Sequence, residues 1–489
     1  MSDKKSSKNK SIPSRSLARG FSASLASLRM GGAIALDGAR QKLVGGDDGS
    51  EFAKREAKRF TDELGRLKGS YVKIGQMMAL FGEHFLPPVL AQALHELEDN
   101  TQPVSWQELE PIVRAELGDS FGDLAIDSTP IAAASLAQVH RAQIIATGEE
   151  ICLKIQYPNL AQMIDADFDA LIRMMRAARW LKVGKDIDAW LAQMRTQLHN
   201  EIDYKREADI TRSMLGTVVE YELDKACLVP HEASAQSAHI AAIRVPRVFD
   251  NFSSSKLLAL DYCDGDSVKH ENVLALPLED RNALAVAMLR LFFYEVFEWG
   301  LMQADPNFGN YLIEYRDDDG YVAGEGSVNN KREALSRCRL VLLDFGSSLA
   351  IEDGQRENLR RVINGGLARS DQDIEQGLKG LGWLSESANP EAVSLFIKFC
   401  HHLLEPLRPA DEQDSSRLNA QGQYCWSASK LMERVGKKGL ANAGTRHFEL
   451  PAKDFSLFAR KLTGVFTFIA YLGAEFNAYE SIQDFLDND

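Results

Sequence analysis

Residues 132–139 read Ala132-Ala133-Ala134-Ser135-Leu136-Ala137-Gln138-Val139, and Thr147-Gly148-Glu149-Glu150 then leads into Ile151-Cys152-Leu153-Lys154-Ile155-Gln156-Tyr157. The last stretch alternates apolar and polar residues, the period of a half-buried strand, with one lysine near its end. Set against the phosphate-covering pattern G-x-G-x-x-G-x-V, the glycine positions fall on Ala132, Ala134 and Ala137 and the valine on Val139. An alanine run alone is only a helix former. Followed by a strand, a turn and a lysine-bearing strand, it reads instead as a loop laid over phosphates.

Phosphoryl transfer asks a protein for positioning and charge neutralisation more than for covalent chemistry. A lysine must hold the α/β-phosphates, and a helix carboxylate must hold the lysine. Lys154 is the lysine. The carboxylate comes from Asn200-Glu201-Ile202-Asp203-Tyr204-Lys205-Arg206-Glu207, where Glu201 is the expected partner and Glu207 its rival. A pair about 4 Å apart interacts by roughly 4 kcal/mol at an effective dielectric near 20, before desolvation.

Two further motifs follow in order. Gln303-Ala304-Asp305-Pro306-Asn307-Phe308-Gly309-Asn310 spaces Asp305 and Asn310 as in H-R-D-x-x-x-x-N, with Asp305 acting on the nucleophile and Asn310 on a metal. Val341-Leu342-Leu343-Asp344-Phe345-Gly346 ends an apolar strand in a carboxylate, which is costly to desolvate unless a cation meets it. Asp344 would then chelate Mg²⁺ bridging ATP (or ADP) phosphates, and Gly346 would allow the sharp turn. Weak matches in a required order reinforce one another, and the order is that of a protein kinase.

Absences refine this reading. No G-x-x-x-x-G-K-[ST] occurs, which excludes a P-loop NTPase. No Ala-Pro-Glu follows Asp344, and the segment before Arg356 is too short for an ordinary activation loop. The platform that receives a peptide substrate is therefore not expected. Alanine held at left-handed φ costs about 1–2 kcal/mol, so the loop is not expected to close over the terminal phosphates as a glycine loop does.

With 489 residues, 45% hydrophobic and 26% charged, the chain is expected to form two or three globular units. Its net charge of -14 argues against nucleic acid. Six scattered cysteines without a C-x-x-C pair suit a reducing compartment. The apolar stretches 283–303 and 462–476 are too interrupted or too short to span a bilayer. Residues 1–45 hold nine basic against two acidic residues, and Leu17, Phe21, Leu25 and Leu28 recur at helical spacing. That segment reads as a basic tail or an amphipathic helix able to lie on a membrane.

The expected organisation is a basic segment over 1–49, a helical extension over 50–125, an N-lobe over 126–264 and a mostly helical C-lobe over 265–489. Within it, Leu64, Leu67, Tyr71, Ile74 and Met78 mark one stripe, Pro87-Pro88 breaks the helices, and a helix is expected near 106–117. Helices are expected over 160–210 and 279–300, strands over 256–260 and 341–346, and a polar surface loop over 315–337. Strands early and helices late give an α+β, two-lobed order.

These motifs resemble the UbiB/AarF/ADCK family of atypical kinases. Lys73-Ile74-Gly75-Gln76 is similar to its K-x-G-Q signature, Ala132-Ala133-Ala134-Ser135 to its alanine-rich loop, and Lys154-Ile155-Gln156-Tyr157-Pro158 to its nucleotide-lysine strand. Glu201-Ile202-Asp203-Tyr204 with Arg206-Glu207-Ala208 resembles its E-x-D-Y-x-R-E-A helix, and residues 303–310 the catalytic loop of the coenzyme Q branch.

The resemblance implies a protein-kinase-like fold whose N-terminal helical extension carries K-x-G-Q and blocks peptide substrates. It implies ATP and Mg²⁺ as cofactors, with Ala132, Ala133, Ala134, Ser135, Val139, Lys154, Asp261 and Tyr262 on the nucleotide. Lys73, Gly75 and Gln76 would shape the pocket, and Asp203, Glu207 and Gly346 complete the family motifs. It implies ATPase or small-molecule phosphotransfer in support of ubiquinone biosynthesis. Partners would be a lipid or quinone precursor, a membrane surface and ubiquinone-biosynthesis proteins, in the cytoplasm or at the inner membrane (mitochondrial in a eukaryote). Competing readings are a pseudokinase using nucleotide to hold a binding shape, and a small-molecule kinase of the aminoglycoside or choline type.

Overall fold

The computed structural model describes residues 51–67, 70–81, 86, 88–95, 103–177, 187–227, 241–315, 338–435 and 453–486. The expectations for residues 1–49, for the polar stretch near 230–240 and for 316–337 lie outside these. Two units emerge, one running to Asp209 with Val248–Tyr262 added, the other formed by Ile210–Arg247 and Cys263–Asp489. Strand Ala242–Arg244 belongs to the second unit, where it pairs with Cys338–Leu342.

In the first unit, helices α1 (Glu51–Leu67), α2 (Ser70–Phe81), α3 (Pro88–His95) and α4 (Trp106–Leu117) precede β1 (Leu124–Ala133), β2 (Ala137–Ile144) and β3 (Glu150–Gln156). Then come α5 (Leu160–Ala177), α6 (Ile187–Asn200) and the start of α7 (Tyr204–Cys227). With β4 (Ala242–Arg244) assigned to the second unit, β5 (Leu257–Asp261) completes an antiparallel sheet of order β1-β2-β3-β5.

Alternation along β3 decides what each sheet face meets. Ile151, Leu153 and Ile155 pack with Leu109, Val113 and Leu117 of α4. Lys154 therefore points to the opposite face, where Ala137, Leu258 and Leu260 pack with Tyr204 and Ala208 of α7. A separate core joins Phe60, Leu64, Tyr71, Ile74 and Met78 of the helical extension to α5 and α6. Its stripe is the one expected from the periodicity; the Leu67 side chain is not described.

The second unit is built on α9 (Leu278–Phe293), reached through the single turn α8 (Glu271–Leu274). Helix α9 is apolar almost all round, from Leu284 to Phe293, as befits a helix with neighbours on every side. The expected helix to residue 300 ends earlier. Residues Tyr294–Glu298 form a π-turn closed by the Trp299 amide on the Tyr294 carbonyl at 2.8 Å.

Beyond it, β6 (Leu301–Gln303) pairs with β9 (Ser348–Ala350), and β7 (Tyr311–Tyr315) with β8 (Cys338–Leu342), which also pairs in parallel with β4. The expected strand over 341–346 stops at Leu342 because the Asp344 carboxylate takes the Gly346 amide at 2.8 Å and turns the chain. Helices α10 (Asp353–Leu367), α11 (Asp371–Gly380) and α12 (Pro390–Leu403) follow. Residues 404–430 are irregular rather than helical, and α13 (Lys453–Tyr471) and α14 (Ala478–Ile482) close the chain.

Glu405 ties the irregular segment together. Its carboxylate meets Arg434 at 2.5 Å, Arg417, and the Tyr424 hydroxyl at 3.1 Å. Burial raises its pKa, but the two guanidinium groups outweigh that and leave it below the ordinary value of 4.5. A depressed folded-state pKa stabilises the fold above the unfolded value and is lost as pH falls through the folded one. Glu405→Gln should cost about 1–3 kcal/mol near neutrality. In thermal melts, the gap between wild type and variant should shrink on acidification below 4.5; a constant gap would contradict this charge assignment.

Candidate functional site

In the first unit, cross-strand register aligns Ala132 with Val139, Val139 with Lys154 and Lys154 with Leu258. Directly opposed residues share a sheet face, so the alanine, the valine and the lysine form one row beside α7. Asp203 caps that helix, its Oδ1 accepting the Arg206 amide at 3.1 Å. One turn on, Glu207 is almost fully buried and takes Lys154 Nζ on both carboxylate oxygens, at 2.7 and 2.9 Å. The lysine also lies over the Tyr204 ring, 5.1 Å from its centroid.

The expected pairing of Lys154 with Glu201 is corrected: Glu207 is the carboxylate that holds it. Glu201 sits in the turn before α7, and its Oε2 is 2.6 Å from Lys73 Nζ. The K-x-G-Q lysine thus joins the motif helix to the turn that starts α7. Gly75 is buried within α2 and Gln76 half-buried.

The alanine loop is a tight hairpin closed by the Ala134 amide on the Ala137 carbonyl at 2.8 Å. None of the loop alanines adopts the costly left-handed φ. Among the described residues, the non-glycine residues with positive φ are Asn159, Arg369 and Lys430. What fixes the hairpin is its tip: Leu136 is buried in the core of the helical extension, its carbonyl accepts the Tyr157 amide at 3.2 Å, and Ser135 is buried beside it. Asp261 ends β5 opposite Ile151. The next residue, Tyr262, donates its amide to Glu150 at 3.2 Å and carries the Arg141 guanidinium over its ring at 4.3 Å.

In the second unit, the β7–β8 ladder brings the two expected metal residues to one end of a hairpin. Tyr311 opposes Leu342, and the Leu343 amide donates to the Asn310 carbonyl at 3.0 Å. Asn310 Nδ2 donates to the Asp305 carbonyl and to its Oδ2, each at 3.2 Å, which leaves the amide oxygen as the atom to offer a cation. Asp305 Oδ1 is 2.8 Å from Arg460 of α13. Gln303 Nε2 donates to the Asp344 carbonyl, and Phe345 is buried in the core.

A carboxylate and an amide oxygen are hard donors that fit Mg²⁺, which retains waters and substrate phosphates as further ligands. Among the described residues no group of three or more His, Cys, Asp or Glu could hold a metal on its own. The sequence reading missed Glu295, Arg460 and Lys461. For Arg460 and Lys461 the signal was a pair of adjacent cations in the middle of a largely apolar helix, and spacing alone could not say which loop they meet.

A family model described as an ABC1 atypical kinase-like domain matches residues 96–377. The chain belongs to the ABC1 atypical kinase family. Lys73-Ile74-Gly75-Gln76 lies ahead of the matched part, and the lysine strand, catalytic loop and Asp344 lie within it. The chain is 26% identical over 430 residues to the Dictyostelium discoideum probable serine/threonine-protein kinase abkA, covering 87% of this chain and 70% of that one. It is 25% identical over 422 residues to the mitochondrial atypical kinase COQ8 of Saccharomyces cerevisiae, covering 85% and 73%.

A Mycobacterium tuberculosis protein solved in complex with erythromycin shares the fold. It gives a TM-score of 0.54 at 19% identity, over 90% of this chain and 98% of that one. The α+β protein-kinase-like fold of this ABC1 kinase agrees with the family that its motifs resemble.

Double-mutant cycles on thermal stability should give a coupling of about 1.5–3 kcal/mol for Lys154 with Glu207. The value for Lys154 with Glu201 should be smaller. The reverse order would restore Glu201 as the lysine's holder.

Proposed function

We propose that this ABC1 kinase is a Mg²⁺-dependent, ATP-binding phosphotransferase or ATPase that supports ubiquinone biosynthesis at a membrane surface. The observation that carries the reading is the two-oxygen grip of buried Glu207 on Lys154, a geometry that presents an ammonium at fixed position to a nucleotide's phosphates. Support also comes from the hard oxygen donors Asn310 and Asp344 at one end of the β7–β8 hairpin. Asn310 and Asp344 would hold Mg²⁺, which would supply charge neutralisation at the phosphates. Asp305 would orient the acceptor or a water, and the Ala132–Val139–Lys154 row would line the nucleotide.

The quinone assignment draws on the relatives named mitochondrial COQ8 and on the motif resemblance. No helix among the described residues is long and apolar enough to cross a membrane. Membrane contact is assigned to the basic segment around residues 15–29, and a mitochondrial setting follows the names of the relatives. A second reading, a nucleotide-gated binding module with little turnover, has one observation in its favour. Both Asp305 oxygens are engaged, Oδ1 by Arg460 and Oδ2 by Asn310.

Saturating ATP with Mg²⁺, at about 100 times Kd, should stabilise the wild type by about 2.7 kcal/mol. Asp344→Asn should abolish the Mg²⁺-dependent part of that shift, and an unchanged shift would refute the metal assignment. Phosphate release that rises with anionic liposomes and ubiquinone-like phenols favours turnover. Nucleotide binding with no release under any of these conditions favours the binding module.

A further inference from the structure

Helix α13 lies along the catalytic loop. Arg460 meets Asp305, a Cβ on Gly464 would run into the Pro306 ring, and Phe468 meets Phe308 edge-on at 5.8 Å. Beside Arg460, Lys461 turns inward and is fully buried, as is Glu295 from the π-turn, 2.9 Å away. The Glu295 carboxyl sits against the Lys461 ammonium and the Gln303 backbone, and burial pushes its pKa up against both. A buried pair of this kind adds little stability over apolar residues of similar volume. Its value lies in what else the ammonium touches.

Lys461 Nζ is 3.2 Å from the Tyr311 hydroxyl and 3.4 Å from Gln303 Oε1, and Tyr311 donates to the same Oε1 at 2.6 Å. An amide is planar, so two donors on its oxygen fix the direction of its nitrogen, and that nitrogen donates to the Asp344 carbonyl. Burial alone would lower the Lys461 pKa, but Glu295 and Tyr311 hold the ammonium above its ordinary value. Lys461 thus stays a donor.

We propose that Lys461 is a positioning residue for the metal-binding carboxylate: anchored by Glu295, it pins the Gln303 amide, which fixes the Asp344 backbone and so the approach of its side chain to Mg²⁺. This rests on the reading of Asp344 as a Mg²⁺ ligand. Removing a partner that orients a ligand costs about 10–100-fold in metal affinity.

The test is a Mg²⁺ titration of the nucleotide-dependent thermal shift in the full chain. Lys461→Met alone strands a buried carboxylate and threatens folding. The double variant Glu295→Gln with Lys461→Met removes both charges, and Gln303→Met removes the amide while sparing the pair. Both should still melt cooperatively, bind nucleotide without Mg²⁺, and need at least tenfold more Mg²⁺ than the wild type for the added shift. Lys461→Arg should recover part of that loss. If the double variant and Gln303→Met both titrate like the wild type, Lys461 is merely structural and the proposal fails, with the metal assignment intact. If the wild type itself shows no Mg²⁺ dependence, the metal assignment fails and this proposal falls with it.

Discussion

A lysine on a strand keeps a fixed place only if something holds its ammonium still, and the grip of Glu207 on Lys154 is the constraint around which the first unit is organised. Alternation along β3 commits Ile151, Leu153 and Ile155 to the core under α4, which forces Lys154 to the other face. There the Asp203 cap fixes where α7 begins, and the helical turn from Asp203 sets Glu207 against the lysine. Because Glu207 is buried and Lys154 only partly so, the pair has little freedom. The same α7 start is tied to the K-x-G-Q helix through Glu201 and Lys73. Two ion pairs of the motif segment therefore do separate tasks: one presents the cation, the other fastens the helical extension.

That extension also explains the alanine loop. Glycines in such a loop allow backbone conformations closed to other residues. Here the hairpin uses ordinary extended geometry and is anchored by Leu136 in the same core as Tyr71 and Ile74. Alanine suffices because the loop is fastened at its tip.

In the second unit the limiting requirement is electrostatic. Asp305, Asp344 and Glu295 all lie in or beside the 303–310 loop, and carboxylates removed from water need cations or donors. Arg460, Lys461, Asn310 and the Gly346 amide supply them. Two adjacent residues of one late helix thus serve two different acids, Arg460 at the half-exposed Asp305 and Lys461 at the buried Glu295.

Local pattern was enough to read the lysine strand, the helical stripe through Leu64, Tyr71, Ile74 and Met78, the order of the motifs and the α+β class. Each depends on periodicity or on residue types at fixed spacing, which the chain carries in itself. Three things needed the folded chain. Glu201 and Glu207 are indistinguishable by composition, and only the position of the α7 cap decides which meets Lys154. The strand before Gly346 ends early because the Asp344 side chain captures a backbone amide, a competition between turn and ladder that apolar content does not register. Arg460 and Lys461 lie about 150 residues beyond the loop they brace. Contacts of that separation follow from how α13 packs on residues 303–310, and no local rule encodes them.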